Sequence, residues 1–132
     1  MEQKIICQLQ KICGEKYVYT LSEDVKRYLY DETEELIRPQ ANTDCIVVRP
    51  STNEEVAQIL QTANEMNFYV IPRGGGTGAC GAVVPTKPSV ILSMERFKNI
   101  IEVDRTGMMI TAQSGVTLYE LNAVSYTHLT LP

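Results

Sequence analysis

The feature that most restricts the fold of this chain is a glycine-rich run after Arg73. Five of the chain's eight glycines fall within residues 74–81. Glycine adopts positive φ without strain and lets the backbone approach a ligand closely. Successive N–H groups in such a turn converge on an anion, for which phosphate is the natural guest. The run therefore predicts a backbone cradle for a phosphate or pyrophosphate, with Arg73 at its entrance supporting the same anion through its charge.

The run does not fit two common phosphate-binding loops. Residues 76–81 spell G-x-G-x-x-G, but the dinucleotide-binding fingerprint must open a helix. Pro85 and Pro88 follow closely, and prolines so spaced forbid a regular helix there. A Walker loop fails because no Gly-Lys-Ser or Gly-Lys-Thr closes the run. A Rossmann-type NAD-binding module and a non-enzymatic anion-binding domain are kept as alternatives.

The residues before the run predict a βαβ unit over 45–72. A strand is predicted over residues 45–49, whose first four residues are apolar without alternation, which is typical of a strand buried on both faces. A helix with one apolar face follows over 54–66, and Ser51 with Glu54 fits its capping box. A second strand then leads into the glycine run. A right-handed crossover would place the run at the C-terminal end of a strand, where open sheets bind ligands.

The elements around this unit complete an α+β pattern. They are predicted as helices at 2–14 and 22–29, strands at 89–93, 97–103 and 108–113, and a helix at 117–123. Ser22 is predicted to cap the second helix, and Thr117 with Glu120 forms a capping box for the last. Gly107 is predicted at positive φ in the turn between the last two strands. The order, from parallel βαβ to antiparallel strands, indicates the α+β class with an α/β start.

Four segments together resemble the FAD-linked oxidases of the vanillyl-alcohol-oxidase type, which carry a PCMH-type FAD-binding domain. These segments are residues 72–81, 90–94, 100–104 and 112–116. The resemblance covers about residues 20–123 and is nearest to the FAD subunit of glycolate oxidase and its D-lactate dehydrogenase relatives. It implies that the chain is the N-terminal part of such a domain, with FAD as its cofactor.

The resemblance also implies which residues contact the cofactor. Backbone amides of residues 74–78 would bind the FAD pyrophosphate, and Gly115 would pass close to FAD from a second loop. The complete set assigned to the cofactor is Arg73, Gly74, Gly75, Gly76, Thr77, Gly78, Gly81, Ser114 and Gly115. Relatives that attach FAD covalently at this loop use a His after Arg-Gly-Gly. This chain has Gly76 there, so FAD is expected to be held non-covalently.

A reaction follows from the same resemblance. A small 2-hydroxy acid such as glycolate or D-lactate would give a hydride from C2 to flavin N5. Electrons would then pass to a partner, an iron–sulfur subunit or an electron-transfer flavoprotein. The sequence contains no carboxylate pair and no Ser/His/Asp set, and Glu95, Glu102 and Asp104 are expected to be solvated charges. No catalytic residue is assigned.

Composition argues against several other classes of function. A net charge of −4 and a pI of about 5.0 offer no basic surface for nucleic acid or an anionic membrane. No apolar run approaches the roughly 18 residues that span a bilayer, and the N-terminus lacks a signal-peptide core. Four cysteines without a C-x-x-C pair, with the single His128, predict no metal site. Free thiols and a cytoplasmic location are expected.

The chain is predicted to have three parts. Residues 1–40 form a helical lead-in, residues 41–123 an incomplete FAD-binding domain, and residues 124–132 a tail of foreign origin. The tail matches neither helix periodicity nor strand alternation. In the family, a further glycine-containing segment completes the FAD site and a separate domain covers the flavin. Neither follows residue 123, so the chain by itself is expected to be an inactive fragment.

Overall fold

The computed structural model describes residues 2–128 and contains a four-stranded sheet and a separate two-stranded hairpin. The elements in chain order are α1 (Gln3–Cys13), a 3-10 turn (Glu15–Tyr17), β1 (Val18–Tyr19), α2 (Ser22–Lys26), β2 (Cys45–Val48), α3 (Asn53–Met66), β3 (Tyr69–Arg73), β4 (Ser89–Ser93), β5 (Ile100–Asp104), β6 (Met109–Ala112) and α4 (Leu118–His128). The mixture of parallel and antiparallel strands with helices confirms the predicted α+β class.

The strand order of the larger sheet is β1-β2-β4-β3. The strands β2, β4 and β3 are parallel, while β1 pairs antiparallel with β2. Thus β2 and β3 have the relation of a βαβ unit, but β4 lies between them. Every residue of β2 and β4 is buried, as their continuous apolar sequences predict. The strand β3 lies at the edge, with Tyr69 59% exposed, and leads directly into the glycine run.

Alternation along the strands divides the core between the two faces of the sheet. Ile46 and Val48 of β2 face the cluster that contains α1 and Ile59 of α3. Cys45 and Val47 face the opposite cluster, which contains Tyr28 and its neighbours from the lead-in. Because residues 25–41 supply half of this second cluster, the predicted lead-in packs as an integral layer of the fold.

Two predicted helix ends are confirmed, and the predicted start of α3 is corrected. Gly14 ends α1 with φ 87° and Asn67 ends α3 with φ 54°. Both have positive φ, and Asn67 has the left-handed conformation typical of a C-terminal stop. The N-cap of α3 is Thr52, whose hydroxyl accepts a hydrogen bond from the Glu55 N–H at 3.2 Å. The predicted box of Ser51 with Glu54 is therefore displaced by one residue.

The cap predicted for the second helix is wrong. Ser22 is the first helical residue of α2, Leu21 holds the cap position, and no side chain caps this end. The helix also ends at Lys26, before the predicted Leu29. The N–H groups of Tyr28 and Leu29 bond three residues back, so the segment tightens into a turn that the helical sequence pattern did not distinguish from α-helix.

The hairpin of β5 and β6 is confirmed as antiparallel, with a different turn geometry. Positive φ falls on Met108, at 53°, and not on Gly107. The Asp104 carboxylate accepts hydrogen bonds from the N–H groups of Thr106 and Gly107, each at 2.9 Å. This side chain organises the turn, so the turn does not need the positive φ predicted for Gly107.

The last helix is longer than predicted. The capping box of Thr117 with Glu120 is confirmed by reciprocal hydrogen bonds, but α4 continues past Ala123 to His128. The prediction that the helix breaks off is therefore wrong for residues 124–128, and residues 129–132 lie outside the described part of the chain. The Thr127 hydroxyl bonds back to the Ala123 carbonyl at 3.2 Å, and no residue of α4 is buried. No described helix is long and apolar enough to cross a membrane.

Candidate functional site

A cleft of about 340 Å³ opens at the C-terminal ends of β3 and β4. Its lining residues are Arg27, Tyr28, Arg73, Gly74, Gly75, Glu95, Lys98, Gly115 and Thr117. Both glycine-containing loops reach it, as the sequence predicted. The edge of the sheet is also the one that the crossover argument indicated. The cleft is rich in cations, since three of its nine lining residues are Arg or Lys.

The backbone of the glycine run provides hydrogen-bond donors that the protein itself does not use. Within residues 2–128, the N–H groups of residues 74–78 donate no hydrogen bond to another residue. Gly76 has φ of 71°, a conformation that side chains with a Cβ rarely adopt. Unused donors beside a cleft are the structural requirement of an anion-binding nest.

Gly78 and Gly81 differ from the start of the run because the protein engages their polar groups. The Gly78 carbonyl accepts a hydrogen bond from the Glu32 N–H at 2.9 Å. The Gly81 N–H donates to the Thr33 hydroxyl at 2.6 Å. The N–H of Gly81 is therefore occupied, and its assignment to the cofactor stays a prediction.

Arg73 lies beneath the glycine run rather than at its entrance. Its side chain is 8% exposed, and Nη1 donates to the Tyr30 carbonyl at 3.0 Å. In the described part of the chain it forms no ion pair, whereas Arg49 pairs with Glu95 at 3.0 Å. Burial lowers the pKa of the Arg73 guanidinium, although arginine stays charged in proteins. The Asp31 and Glu95 carboxylates offset this effect in part. Because a buried cation without an ion-pair partner is costly, the site favours binding of an anion.

The second loop needs Gly115 for reasons internal to the protein. A Cβ at this position would overlap the Met94 carbonyl oxygen and lie 2.8 Å from the Phe97 carbonyl oxygen. The Gly115 N–H donates to that Phe97 carbonyl at 2.9 Å. A Cβ on Gly74 would lie 3.4 Å from the carbonyl oxygen of Ser114. The two loops are therefore in close contact at this point. Gly115 thus lines the cleft, but its close backbone approach is to the turn after β4.

Five lining residues were not assigned from the sequence: Arg27, Tyr28, Glu95, Lys98 and Thr117. Glu95 was expected to be solvated, but it lines the cleft and pairs with Arg49. Lys98 pairs with Glu120 of α4 at 3.6 Å. Thr117 was predicted only as part of a capping box, the other four belong to no predicted motif, and only the fold brings the five together. Position gives a signal for three of them: Arg27 and Tyr28 lie near the end of the predicted helix at 22–29, and Glu95 follows the predicted strand at 89–93.

Tyr28 forms the buried wall of the cleft. The ring is 2% exposed, and Arg27 Nη2 donates to its hydroxyl at 3.0 Å. Burial, followed by the nearby Glu95 carboxylate, raises the pKa of the Tyr28 hydroxyl. The phenol is thus held in its neutral form. It can donate a hydrogen bond but contributes no charge to the site.

The other candidate charges and ligands lie outside the cleft. Glu102 is exposed, as expected, and the Asp104 carboxylate is used by the hairpin turn. Over residues 2–128, no group of three His, Cys, Asp or Glu side chains is arranged to hold a metal ion. Cys7, Cys13, Cys45 and Cys80 are free thiols, and burial raises the pKa of Cys13 to about 11.

Sequence comparison identifies the family. The profile of the FAD binding domain family matches residues 45–132, so the chain belongs to this family, whose cofactor is FAD. The unused N–H groups and the buried Arg73 fit the anionic pyrophosphate of that cofactor. The match continues through the residues after Ala123, where the resemblance was expected to end. The foreign origin of residues 124–132 stays a prediction.

Three hydroxy-acid-oxidising proteins, judged by their names, are similar in sequence to this chain. D-lactate dehydrogenase of Archaeoglobus fulgidus is 42% identical over 101 residues, which is 76% of this chain and 23% of that protein. Glycolate oxidase subunit GlcD of Bacillus subtilis is 32% identical over 106 residues, 80% of this chain and 22% of the relative. Mitochondrial D-2-hydroxyglutarate dehydrogenase of Danio rerio is 37% identical over 83 residues, which is 63% of this chain and 15% of that protein. The chain spans less than a quarter of the length of each of these relatives.

Solved structures share the fold at low sequence identity. Substrate-bound p-cresol methylhydroxylase superposes with a TM-score of 0.76 at 19% identity, over 94% of this chain and 24% of that one. Alkyldihydroxyacetonephosphate synthase gives a TM-score of 0.77 at 20% identity, over 96% and 25%. The fold is therefore that of the PCMH-type FAD-binding domain. The comparisons give no support to the NAD-binding alternative.

Proposed function

We propose that this chain forms the pyrophosphate-binding part of a flavin-dependent dehydrogenase that oxidises a 2-hydroxy acid. The proposal rests on two features of residues 2–128 that occur together: the N–H groups of residues 74–78 donate no hydrogen bond, and the buried guanidinium of Arg73 forms no ion pair. Substrate class is supported by the named relatives, since lactate, glycolate and 2-hydroxyglutarate are all 2-hydroxy acids.

In this proposal the glycine run binds the cofactor through its backbone. The N–H groups of residues 74–78 donate to pyrophosphate oxygens, and charge-assisted bonds of this kind are stronger than neutral ones. Arg73 supplies positive charge from below the run. Because it is already held by the Tyr30 carbonyl, little side-chain freedom is lost when the anion binds.

The remaining cleft residues set the electrostatics around the cofactor. Arg27 and Lys98 add positive charge at the rim, while Glu95 is neutralised in part by Arg49. When bound, FAD would supply the redox chemistry as the acceptor, at flavin N5, of the hydride from C2 of the substrate, and loss of the hydroxyl proton would complete the 2-oxo acid. No residue of the described chain is assigned to catalysis. In this proposal, a protein of the relatives' length supplies the substrate domain and the group that takes the hydroxyl proton. It also contacts the electron acceptor, an iron–sulfur subunit or an electron-transfer flavoprotein.

The test is a cofactor titration. It uses a longer protein, of the relatives' length, that is expressed from the native gene and includes this chain. We expect yellow protein with flavin absorbance, and uptake of FAD but not of NAD by the protein stripped of flavin. Tight NAD binding without flavin uptake would contradict the proposal. Binding of inorganic pyrophosphate without any flavin would instead favour the non-enzymatic anion-binding domain.

A cytoplasmic location belongs to the same proposal. It is supported by the four free thiols, which fit a reducing compartment. Cell fractionation with an antibody against the native protein tests it, and recovery outside the cytoplasmic fraction would contradict it.

A further inference from the structure

We propose that residues 30–33, which we call the strap, position the glycine run for FAD, and that Thr33 is the decisive positioning residue. The strap lies in the predicted lead-in and precedes the family match, which begins at residue 45. The inference rests on the function proposed above, because it concerns the same site. It adds an element that neither the glycine motif nor the family match includes.

Three hydrogen bonds connect the strap to the glycine run and the arginine before it. The Tyr30 carbonyl accepts from Arg73 Nη1 at 3.0 Å. The Glu32 N–H donates to the Gly78 carbonyl at 2.9 Å, and the Thr33 hydroxyl accepts from the Gly81 N–H at 2.6 Å. The contacts fall before, within and at the end of the run. The unused N–H groups of residues 74–78 therefore lie between points that are all fixed to one short segment.

Thr33 is itself held in place. It is 6% exposed, and its N–H donates to the Asp31 carboxylate at 3.1 Å, which closes a local turn. Hydrogen bonding from Thr33 lowers the pKa of the Asp31 carboxyl, so this acceptor stays ionised at neutral pH. The strap is thus preformed by its own side chains before it contacts the run.

The chain after the strap also restricts the end of the run. Gly81 has φ of 69°, and a Cβ there would lie 2.8 Å from Cδ of Pro39. Pro39 therefore packs against the glycine whose N–H bonds to Thr33. Together these contacts fix the conformation at Gly81 from two sides.

The strap matters because a run with five glycines has many conformations in the absence of constraints. Binding an anion through several N–H groups requires that those groups point to one place, and the cost of ordering them weakens binding. The strap reduces this cost because it uses the Gly78 carbonyl and the Gly81 N–H as anchors. The amides of residues 74–78 are left available to the ligand. Loss of the Thr33 hydroxyl would remove the acceptor that the Gly81 N–H contacts at 2.6 Å.

The test compares Thr33→Val with Thr33→Ser in protein of the relatives' length. Valine keeps the shape of threonine but removes the acceptor, whereas serine retains it. Thr62→Val is the matched control, since the Thr62 hydroxyl bonds only to the Gln58 carbonyl on the exposed side of α3. Two quantities are measured: the dissociation constant for FAD, and amide hydrogen exchange of residues 74–81 in the flavin-free protein.

We expect Thr33→Val to weaken FAD binding about tenfold, as loss of a buried hydrogen-bond partner implies, and to accelerate exchange across residues 74–81. Thr33→Ser and Thr62→Val should match the wild type in both measurements. If Thr33→Val binds FAD and exchanges like the wild type, the strap has no positioning role and the inference is overturned. If the wild type binds no FAD, the proposed function fails, while the exchange comparison still tests the strap.

A second variant serves if Thr33→Val does not fold. Asp31→Ala removes the acceptor of the Thr33 N–H but leaves the Thr33 hydroxyl in place. It should weaken FAD binding several-fold and accelerate exchange at residues 78–81, by loosening the turn that presents Thr33. Unchanged affinity and exchange in this variant would overturn the inference equally.

Discussion

At the scale of single residues, Gly76 and Arg73 determine each other's place. A Cβ on Gly76 would overlap the Arg73 guanidinium, and the backbone there has positive φ. The absence of a side chain at Gly76 is therefore what allows the buried cation to lie under the run. Both the donors and the charge of the site depend on this one glycine.

Gly76→Val should lose FAD during purification. Valine at positive φ costs about 1–3 kcal/mol in strain, and its side chain would displace Arg73. Gly14→Val is a matched control, because Gly14 also has positive φ, 87°, with no other heavy atom closer than 3.9 Å to its Cβ position. Flavin absorbance per protein is the measurement. Normal flavin content in Gly76→Val would show that Gly76 does not line the site.

Flavin should be released from the protein by acid. Gly76 occupies the position at which covalently flavinylated relatives are expected to carry a His, and it offers no nucleophile. Precipitation with trichloroacetic acid should leave all flavin in the supernatant. Colour in the pellet would contradict this and would direct attention to Cys80, whose thiol is exposed in the same run.

The four thiols should divide into two pairs by their rate of alkylation. Cys7 and Cys80 are exposed, whereas Cys13 and Cys45 are buried. Burial raises the pKa of both buried thiols, and the reactive species is the thiolate. Iodoacetamide at pH 8, followed by mass spectrometry, should label the exposed pair first. The buried pair should react only after urea is added, and rapid labelling of Cys13 in native protein would contradict the packing of α1.

Cys13 also predicts how stability depends on pH. Burial raises its pKa in the folded protein to about 11, above the ordinary 9.0, so the unfolded chain loses the proton first as pH rises. The contribution is fully present below pH 9 and is lost progressively between about pH 9 and 11. Urea midpoints measured across this range should fall, and they should fall less steeply in Cys13→Ala. Equal slopes would show that the thiol is not responsible.

At the scale of elements, α3 shows which features of a helix local sequence can predict and which it cannot. Its apolar spacing and its end at Asn67 were predicted correctly, because both depend on neighbours within a few turns. Its first residue was misplaced, because Ser51 and Thr52 are both good caps and each is followed three residues later by a glutamate. Only the three-dimensional path of the chain decides between two such boxes.

Thr52→Ala should destabilise the protein by about 1 kcal/mol, the usual effect of removing a cap. The Ser51 hydroxyl contacts only the Glu55 carboxylate, at 3.3 Å, so Ser51→Ala should cost less. Urea unfolding of the two variants gives the comparison. A larger loss in Ser51→Ala would restore the capping box that the sequence first indicated.

The candidate site was predicted where a motif marks it and missed where it does not. Gly74, Gly75 and Gly115 line one cleft, as expected from the two glycine-containing turns, because such turns are recognisable in a sequence. The assignment of the run to the cofactor stays a prediction. Arg27, Tyr28 and Lys98 reach the same cleft from separate elements, and no local pattern links them. The strap was likewise missed, since its hydrogen bonds join residues more than forty positions apart.

At the scale of the whole molecule, the hairpin and α4 leave apolar side chains uncovered. The most exposed of these are Ile101, Met109, Leu118, Tyr119 and Tyr126. They lie on the elements that follow the four-stranded sheet, and β5 and β6 pair only with each other. Apolar surface of this kind commonly marks contacts with further protein.

The 132-residue chain should bind FAD weakly and show no turnover. Its cleft provides donors for an anion, but no residue of the described chain is assigned to the substrate or to catalysis. Protein extended from the native locus should retain FAD and reduce a dye acceptor with D-lactate or glycolate. Stoichiometric FAD and hydroxy-acid turnover from residues 1–132 alone would contradict this prediction.

The position of β4 between β2 and β3 has a consequence for the order of events on the ribosome. Cys45 of β2 pairs with Ser89 of β4, so β2 and α3 emerge long before the strand that joins them to β3. Until Ser93 has left the exit tunnel, both parallel strands present unpaired edges, and such edges promote aggregation. The parallel part of the sheet can therefore form only after β4 has been synthesised and has inserted between β2 and β3.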